Sequence, residues 1–113
     1  MFTTVGDLAR FASFLLGEGP DTVLKASALR KYQTQTAVAA DIQLQSGYGL
    51  AGQVAQRPGY VAFGHGGSVA GWEAAFEMNR DQSLGVIVLT NAAGNGAPEV
   101  NRLAFEILDL LAR

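Results

Sequence analysis

The chain has no cysteine, few charges and no long apolar run, and each absence limits what it can be. Without cysteine it can form neither a disulfide nor a thiolate metal site. Charged residues make up only 16% of the chain, and the Lys and Arg residues are scattered, which argues against nucleic-acid binding. No apolar run approaches the ~20 residues that span a bilayer, and the N-terminus lacks signal-peptide order. We expect a soluble protein, either cytoplasmic or periplasmic and secreted.

Several common catalytic motifs are missing too. The stretch "FGHGGSVAGW" holds the only histidine, His65, whereas a metal site usually needs three protein ligands. No Walker A lysine follows "GHGG", and a Gly-x-Ser-x-Gly nucleophile elbow occurs nowhere in the sequence. The sequence therefore predicts neither a metal nor an organic cofactor.

The apolar residues that are present predict helices at both ends of the chain. In "TTVGDLARFASFLLGEGP" they recur at helical spacing after Thr4, a candidate N-cap, and Gly17 and the residues after it stop the helix. A shorter helix is predicted in "KASALRKYQTQ". The last helix begins after Pro98, with an apolar stripe that can lie on a sheet. That stripe comprises Val100, Leu103, Ala104, Ile107, Leu108 and Leu111.

The middle of the chain has the short period of strands. Four apolar segments, "YGLAGQVA", "YVAFGHG", "GWEAAFEMN" and "LGVIVLTN", are separated by turns rich in glycine or polar residues, including residues 67–71. The last segment, apolar throughout, predicts a strand covered on both faces. We predict one α+β domain over residues 1–113: an antiparallel meander, at least residues 61–67, 72–79 and 84–91, with the C-terminal helix on one face and the N-terminal helices beside it. In "WEAAFEM", Trp72 and Phe76 are predicted core residues.

Three ordered segments resemble the C-terminal part of the serine β-lactamase and penicillin-binding-protein superfamily. "MFTTVGDLARFASFLLGEGP" is similar to a helix of that superfamily, "SGYGLAG" to its "YGLGW" strand, and "FGHGGSVAGWEAAFEMNRDQSLGVIVLTNAAG" to its third motif and the hairpin that follows. The resemblance is strongest to class C β-lactamases and the related esterases and D,D-peptidases. It implies a serine hydrolase with an acyl-enzyme intermediate, acting on a β-lactam, a D-alanyl peptide or a small ester.

The resemblance also assigns roles around the third motif, His65-Gly66-Gly67. It implies that His65 orients the substrate and the base network, and that the backbone N–H of Ser68 donates to the oxyanion. Gly66 and Gly67 would let the substrate approach closely. The competing interpretation of His65 is a histidine satisfied by hydrogen bonds in a glycine-rich turn.

The superfamily's nucleophile motif, Ser-x-x-Lys, is missing, because none of the chain's five serines is followed by Lys at that spacing. Thr22 and Lys25 have the spacing but follow the first helix, which is the wrong place. Tyr-x-Asn is missing as well. We therefore expect a partial domain, inactive alone, whose partner is either the missing N-terminal portion or a second copy in a homodimer. The alternative is a non-catalytic binding or self-association module of the same fold.

Overall fold

The computed structural model describes residues 2–33, 37–38, 46–50, 52–92, 94 and 99–113. The helices are α1 (Val5–Ser13), continued by a π-helical turn (Phe14–Glu18), α2 (Ala26–Gln33) and α3 (Val100–Leu111). The strands are β1 (Ala37–Val38), β2 (Ser46–Tyr48), β3 (Gln53–Arg57), β4 (Tyr60–Val69), β5 (Trp72–Asn79) and β6 (Leu84–Thr90). The predicted start of the last helix after Pro98 is confirmed, since α3 begins at Val100.

These strands form a six-stranded antiparallel sheet in chain order, β1-β2-β3-β4-β5-β6. The predicted α+β meander is confirmed, with two corrections to its strands. The segment "YGLAGQVA" is not one strand, since β2 ends at Tyr48 and β3 begins at Gln53. The loop predicted at residues 67–71 is wrong, because β4 runs to Val69 and only Ala70 and Gly71, both with positive φ, make the turn.

The first helix begins at its predicted cap. The side-chain oxygen of Thr4 accepts a hydrogen bond from the backbone N–H of Asp7 at 3.2 Å, which satisfies one of the free donors of the first turn. Gly17, at φ 101°, lies near the end of the π-helical turn. The residues that predicted the start of this helix are close together in the sequence, and they were enough to locate it.

The helices cover opposite faces of the sheet, which corrects their predicted placement side by side. On one face, α3 packs its buried Val100, Ala104 and Leu108 against β4, β5 and β6. On the other, Ala12 and Leu15 near the end of α1 pack with Phe63 and Met78. The alternation of side chains along β4 accounts for this arrangement, because Ala62 and Phe63 belong to different cores.

Two predictions about apolar surfaces need correction. The buried stripe of α3 is narrower than predicted, because Leu103 and Leu111 are exposed. β6 does receive α3 on one face and α1 on the other, but its Leu89 remains exposed. The structure thus leaves apolar surface at the β6 side of the molecule.

A polar cluster holds the flank of α3 that faces the β3–β4 hairpin. Asp109 forms an ion pair with Arg57, and the Tyr60 hydroxyl donates to the same carboxylate at 2.7 Å. The Arg57 guanidinium also lies 4.7 Å from the centre of the Phe105 ring. The Arg57 guanidinium holds the pKa of Asp109 below its usual value. This cluster joins the β3–β4 hairpin to the last turns of α3.

Candidate functional site

The third-motif strand, β4, is longer than its neighbour β3, and this difference creates an open edge. Pairing with β3 ends at Gln53 opposite Gly64, whereas pairing with β5 continues to Val69 opposite Trp72. Among the described strands, none lies beside residues 65–69 on the β3 side. Within the described part of the chain, the predicted site residues therefore occupy a stretch whose backbone is paired on one side only.

The two hairpins that flank β4 show which backbone groups face this open edge. A two-residue turn closes on a hydrogen-bonded pair, which makes Val69 and Trp72 such a pair in one hairpin and Arg57 and Tyr60 in the other. Because the orientation alternates along a strand, odd-numbered residues of β4 point their N–H and C=O groups at β5 and even-numbered ones away from it. Both hairpins give the same result. The N–H groups of Gly66 and Ser68 point to the open edge.

His65 lies at the start of this open stretch and is exposed to solvent. Its Nδ1 lies 2.5 Å from the carbonyl oxygen of Gly66, which can only accept, so this contact needs a proton on Nδ1. The Tyr48 ring meets the imidazole edge to face, with 6.2 Å between ring centres. These two contacts hold the imidazole beside the open edge.

The side chains of His65 and Ser68 lie on opposite faces of the sheet. His65 shares its face with its cross-strand partner Phe76, which packs against Phe11 of α1. Ser68 lies on the α3 face, beside an open groove of about 600 Å³ at the first turn of α3. The two side chains cannot form a Ser–His pair on one face. What Ser68 brings to the edge beside His65 is its backbone N–H.

The two glycines of the motif have different surroundings. A Cβ at Gly66 would overlap the Asn101 side chain of α3, which would have to move to admit it. A Cβ at Gly67 would meet nothing within 4 Å among the described residues. The space beside Gly67 is therefore open, as close approach by a substrate would require.

A buried carboxyl group lies next to the motif, and sequence reasoning missed it. Glu77 pairs with Gly64, is only 1% exposed, and its Oε1 has no hydrogen-bond partner among the described residues. Burial raises the pKa of Glu77 to about 7, partly offset by the positive charge of Arg57. Strand alternation placed Glu77 on the face opposite Trp72, but only the packing of α3 shows that this face is covered.

Other sequence inferences about the site have mixed outcomes. Trp72 is not a core residue, because 64% of its surface is exposed at the tip of the β4–β5 hairpin. Tyr48 was not selected as a site residue, although it lies in the "YGLAG" segment that carries part of the resemblance. Among the described residues, no three His, Asp or Glu side chains are grouped so that they could hold a metal ion. Within the same residues, no helix has the length and hydropathy needed to cross a membrane.

Comparison with known proteins agrees with the fold. Neither the curated proteins nor the solved structures contain a match to the chain. The family model described as Beta-lactamase matches residues 1–109, which is nearly the whole chain. That stretch includes the open edge of β4 with His65 and Ser68. The chain belongs to the Beta-lactamase family.

Proposed function

We propose that this chain forms the oxyanion-binding wall of a β-lactamase-like serine hydrolase. One observation carries the proposal: the N–H groups of Gly66 and Ser68 point out of an unpaired stretch of β4 whose first residue is the exposed His65. An acyl-transfer site needs backbone donors that are fixed before the reaction and aimed at the carbonyl oxygen. The pairing of β4 with β5 fixes these donors.

The open edge gives each residue a chemical task. A substrate in extended form can add to the edge as a further strand, with its backbone paired to Gly66 and Ser68. When a serine attacks the substrate carbonyl, the Ser68 N–H donates to the oxygen that becomes negative. His65 orients the substrate and the base network, and the space beside Gly67 admits the ring or backbone of the substrate. Collapse of the tetrahedral intermediate breaks the bond to the leaving amine or alcohol, which takes up the proton that the base removed from the serine. Water then hydrolyses the acyl-serine ester, which releases the acid and restores the serine hydroxyl.

The nucleophile in this proposal comes from outside the chain, because the sequence has no Ser-x-x-Lys. The chain is then the C-terminal part of a hydrolase domain and has no activity alone. Its substrates are β-lactams, D-alanyl peptides or small esters, as in class C β-lactamases and their esterase and D,D-peptidase relatives.

Labelling of the isolated chain tests its inactivity. The chain is incubated with a fluorescent penicillin and examined by intact mass, and its turnover of nitrocefin and p-nitrophenyl acetate is compared with buffer alone. We expect neither an adduct nor turnover above background. A stoichiometric adduct on any serine would show that this chain holds its own nucleophile.

The role of the Ser68 N–H is tested in a polypeptide where this segment follows Ser-x-x-Lys and Tyr-x-Asn. Ser68→Pro removes the N–H that points to the open edge, and we expect kcat to fall about 100- to 1000-fold, as for other lost oxyanion donors. Ser68→Ala is the matched control, since it removes only the hydroxyl on the α3 face. Equal losses in both variants would assign the role to the hydroxyl and contradict the proposal.

A second candidate function is a non-catalytic binding module, favoured by the missing nucleophile. The same open edge would then bind an extended peptide by strand addition without cleaving it. Reading the codons upstream of Met1 separates the two functions. An in-frame Ser-x-x-Lys and Tyr-x-Asn would favour the hydrolase, and an open reading frame that begins at Met1 would favour the binding module.

A further inference from the structure

On either side of His65, β4 has no side chain of its own on the face that α3 covers, and polar side chains from neighbouring elements occupy that space. Alternation along β4 puts Gly64 and Gly66 on the α3 face and His65 on the other. A Cβ at Gly64 would overlap the carboxyl group of Glu77, and one at Gly66 would overlap the amide of Asn101. The two glycines that flank the histidine are thus each backed by a polar side chain.

Strand pairing brings the Glu77 carboxyl group close to the backbone of β4. The β4–β5 turn closes on a hydrogen-bonded pair, so Gly64 and Glu77, five pairs further along, form a non-hydrogen-bonded pair. The Cα atoms of such a pair are only about 4.5 Å apart. A Cβ at Gly64 would also overlap the carbonyl oxygen of Phe76, in agreement with this close approach. A change in the charge or hydration of Glu77 therefore acts directly on the residue before His65.

The Glu77 carboxyl group is buried by this chain alone. Its residue is 1% exposed and lies on the face of the sheet that α3 covers with Val100, Ala104 and Leu108. The Oε1 of Glu77 and the Oδ1 of Asn79, the next side chain on this face, are both buried without a hydrogen-bond partner among the described residues. Both atoms are acceptors, so a proton on Glu77 supplies a donor where one is missing, and its loss adds an acceptor. The neutral form of Glu77 therefore suits this layer better than the charged form.

The charges around Glu77 do little to balance a negative charge on it. From β3, Arg57 lowers the pKa of Glu77, but the guanidinium is already paired with Asp109 of α3. From β4, the Tyr60 hydroxyl donates to the same Asp109 carboxylate. Glu73 is two same-face positions away on β5, and β6 has no charged residue. Burial outweighs Arg57 and raises the pKa of Glu77 to about 7. The other charges at the start and middle of α3 form exposed ion pairs with one another: Glu99, Arg102 and Glu106.

An ionised Glu77 needs water, and the groove at the first turn of α3 gives water a route. Gly66 and Asn101 are among the residues that line this groove, and Gly66 is the same-face neighbour of Gly64. Water that reaches the carboxylate this way separates the start of α3 from β4 and removes Asn101 from Gly66. Gly66 and Ser68 carry the N–H groups that point to the open edge, so the placement of these donors then depends on the charge of Glu77.

We propose that Glu77 is a pH-dependent positioning residue for the third motif. Its neutral carboxyl group supports Gly64 and keeps the start of α3 on Gly66, and transfer of its proton to solvent admits water and releases both contacts. The only bond broken in this step is the O–H bond of the acid. The proposal rests on the proposed function only in treating this edge as a reaction site, because the conformational change itself needs no nucleophile.

An NMR titration of the chain from pH 5 to pH 8 tests the proposal. The Glu77 carboxyl carbon, the Ser68 amide and the Asn101 side-chain amide are followed together, and all three should change with one midpoint near pH 7. Because histidine also titrates in this range, the series is repeated with His65→Gln, where the common midpoint should remain.

Hydrogen exchange measures the separation of α3 in the same samples. The Leu103 amide donates to the Glu99 carbonyl in the first turn of α3 at 3.0 Å. Its protection factor should fall at least about tenfold between pH 5 and pH 8, because each pH unit between the free and the raised pKa favours the hydrated form about tenfold. Protection that stays constant over this range would overturn the proposal.

A neutral variant separates the role of the proton from that of the side chain's bulk. Glu77→Gln has nearly the same shape and cannot ionise, so at pH 8 it should keep the low-pH resonances of Ser68 and Asn101. Glu73→Gln, on the same strand and face, is the matched control and should keep the transition. A transition that persists in Glu77→Gln contradicts the proposal.

The unsubstituted chain gives a test that does not depend on any variant folding. A Glu77 carboxyl group that titrates near 4.5 overturns the proposal, as does a Ser68 amide that does not follow it. All these measurements are made without a nucleophile. Their failure therefore leaves the hydrolase proposal standing, and an inactive complete polypeptide leaves the titration of Glu77 unchanged.

Discussion

Among the described strands, residues 65–69 of β4 and the outer side of β6 both have backbone groups without a partner strand, but they carry different side chains. At β4 the free N–H groups of Gly66 and Ser68 lie beside a histidine, a tyrosine and glycine, so the edge can hold a polar, reacting group. At β6, alternation along the strand turns the backbone groups of Gly85, Ile87 and Leu89 away from β5, and the strand contains no charged residue. The first arrangement suits a small substrate and the second suits a further strand. An unpaired strand does not by itself indicate what binds to it. The side chains around the strand indicate which kind of partner fits.

Of the effects predicted here, the loss of activity on substitution of His65 should be the largest. In a polypeptide that carries this segment together with the missing motifs, His65→Ala should lower kcat/KM about 100- to 1000-fold, the size of effect seen when a well-placed polar group is lost from such a site. The melting temperature should change little, because His65 is exposed. Steady-state kinetics and thermal unfolding measure both. A variant with normal turnover and a much lower melting temperature would make His65 a structural residue.

Glu77 lies in the strand that separates the two edges, and its buried carboxyl group should make stability depend on pH. The folded pKa of about 7 is above the reference value of 4.5, so the folded state binds the proton more tightly. The stabilisation is complete below pH 4.5 and is lost as the pH rises to about 7. The free energy of unfolding should fall by about 3 kcal/mol across that window.

Denaturant unfolding at pH 5 and pH 8 measures this loss. Glu77→Gln should remove most of the dependence, because the amide has no proton to lose. Glu73→Gln, on the same strand and face but only partly buried, is the control and should keep it. A dependence that persists unchanged in Glu77→Gln would mean that another group causes it.

Asp109 fixes the orientation of α3, and its loss should have the smallest effect of the three. Asp109→Asn weakens the contacts with Arg57 and Tyr60, and we expect the free energy of unfolding to fall by about 1–2 kcal/mol. Denaturant unfolding checks this, with Arg102→Ala, in an exposed ion pair of the same helix, as the control that should lose less.

Local signals in the sequence determined much of this fold. Thr4 caps α1 as predicted, since capping depends on residues three apart, and the strand periods of "WEAAFEMN" and "LGVIVLTN" gave the bounds of β5 and β6 to within one residue. The ordered motifs around His65 indicated the family over nearly the whole chain. Both kinds of signal are written in neighbouring residues, so one sequence is enough to interpret them.

Only the tertiary structure decided the rest, because it depends on contacts between residues far apart in sequence. Alternation alone cannot tell a covered face from an exposed one, so Glu77 is buried under α3 while Trp72, predicted to be core, lies in solvent. The length of β3 relative to β4 decided that Gly66 and Ser68 face an open edge. α1 and α3 lie on opposite faces because the two faces of β4 contribute to two different cores. Which helix covers which face depends on packing across the sheet.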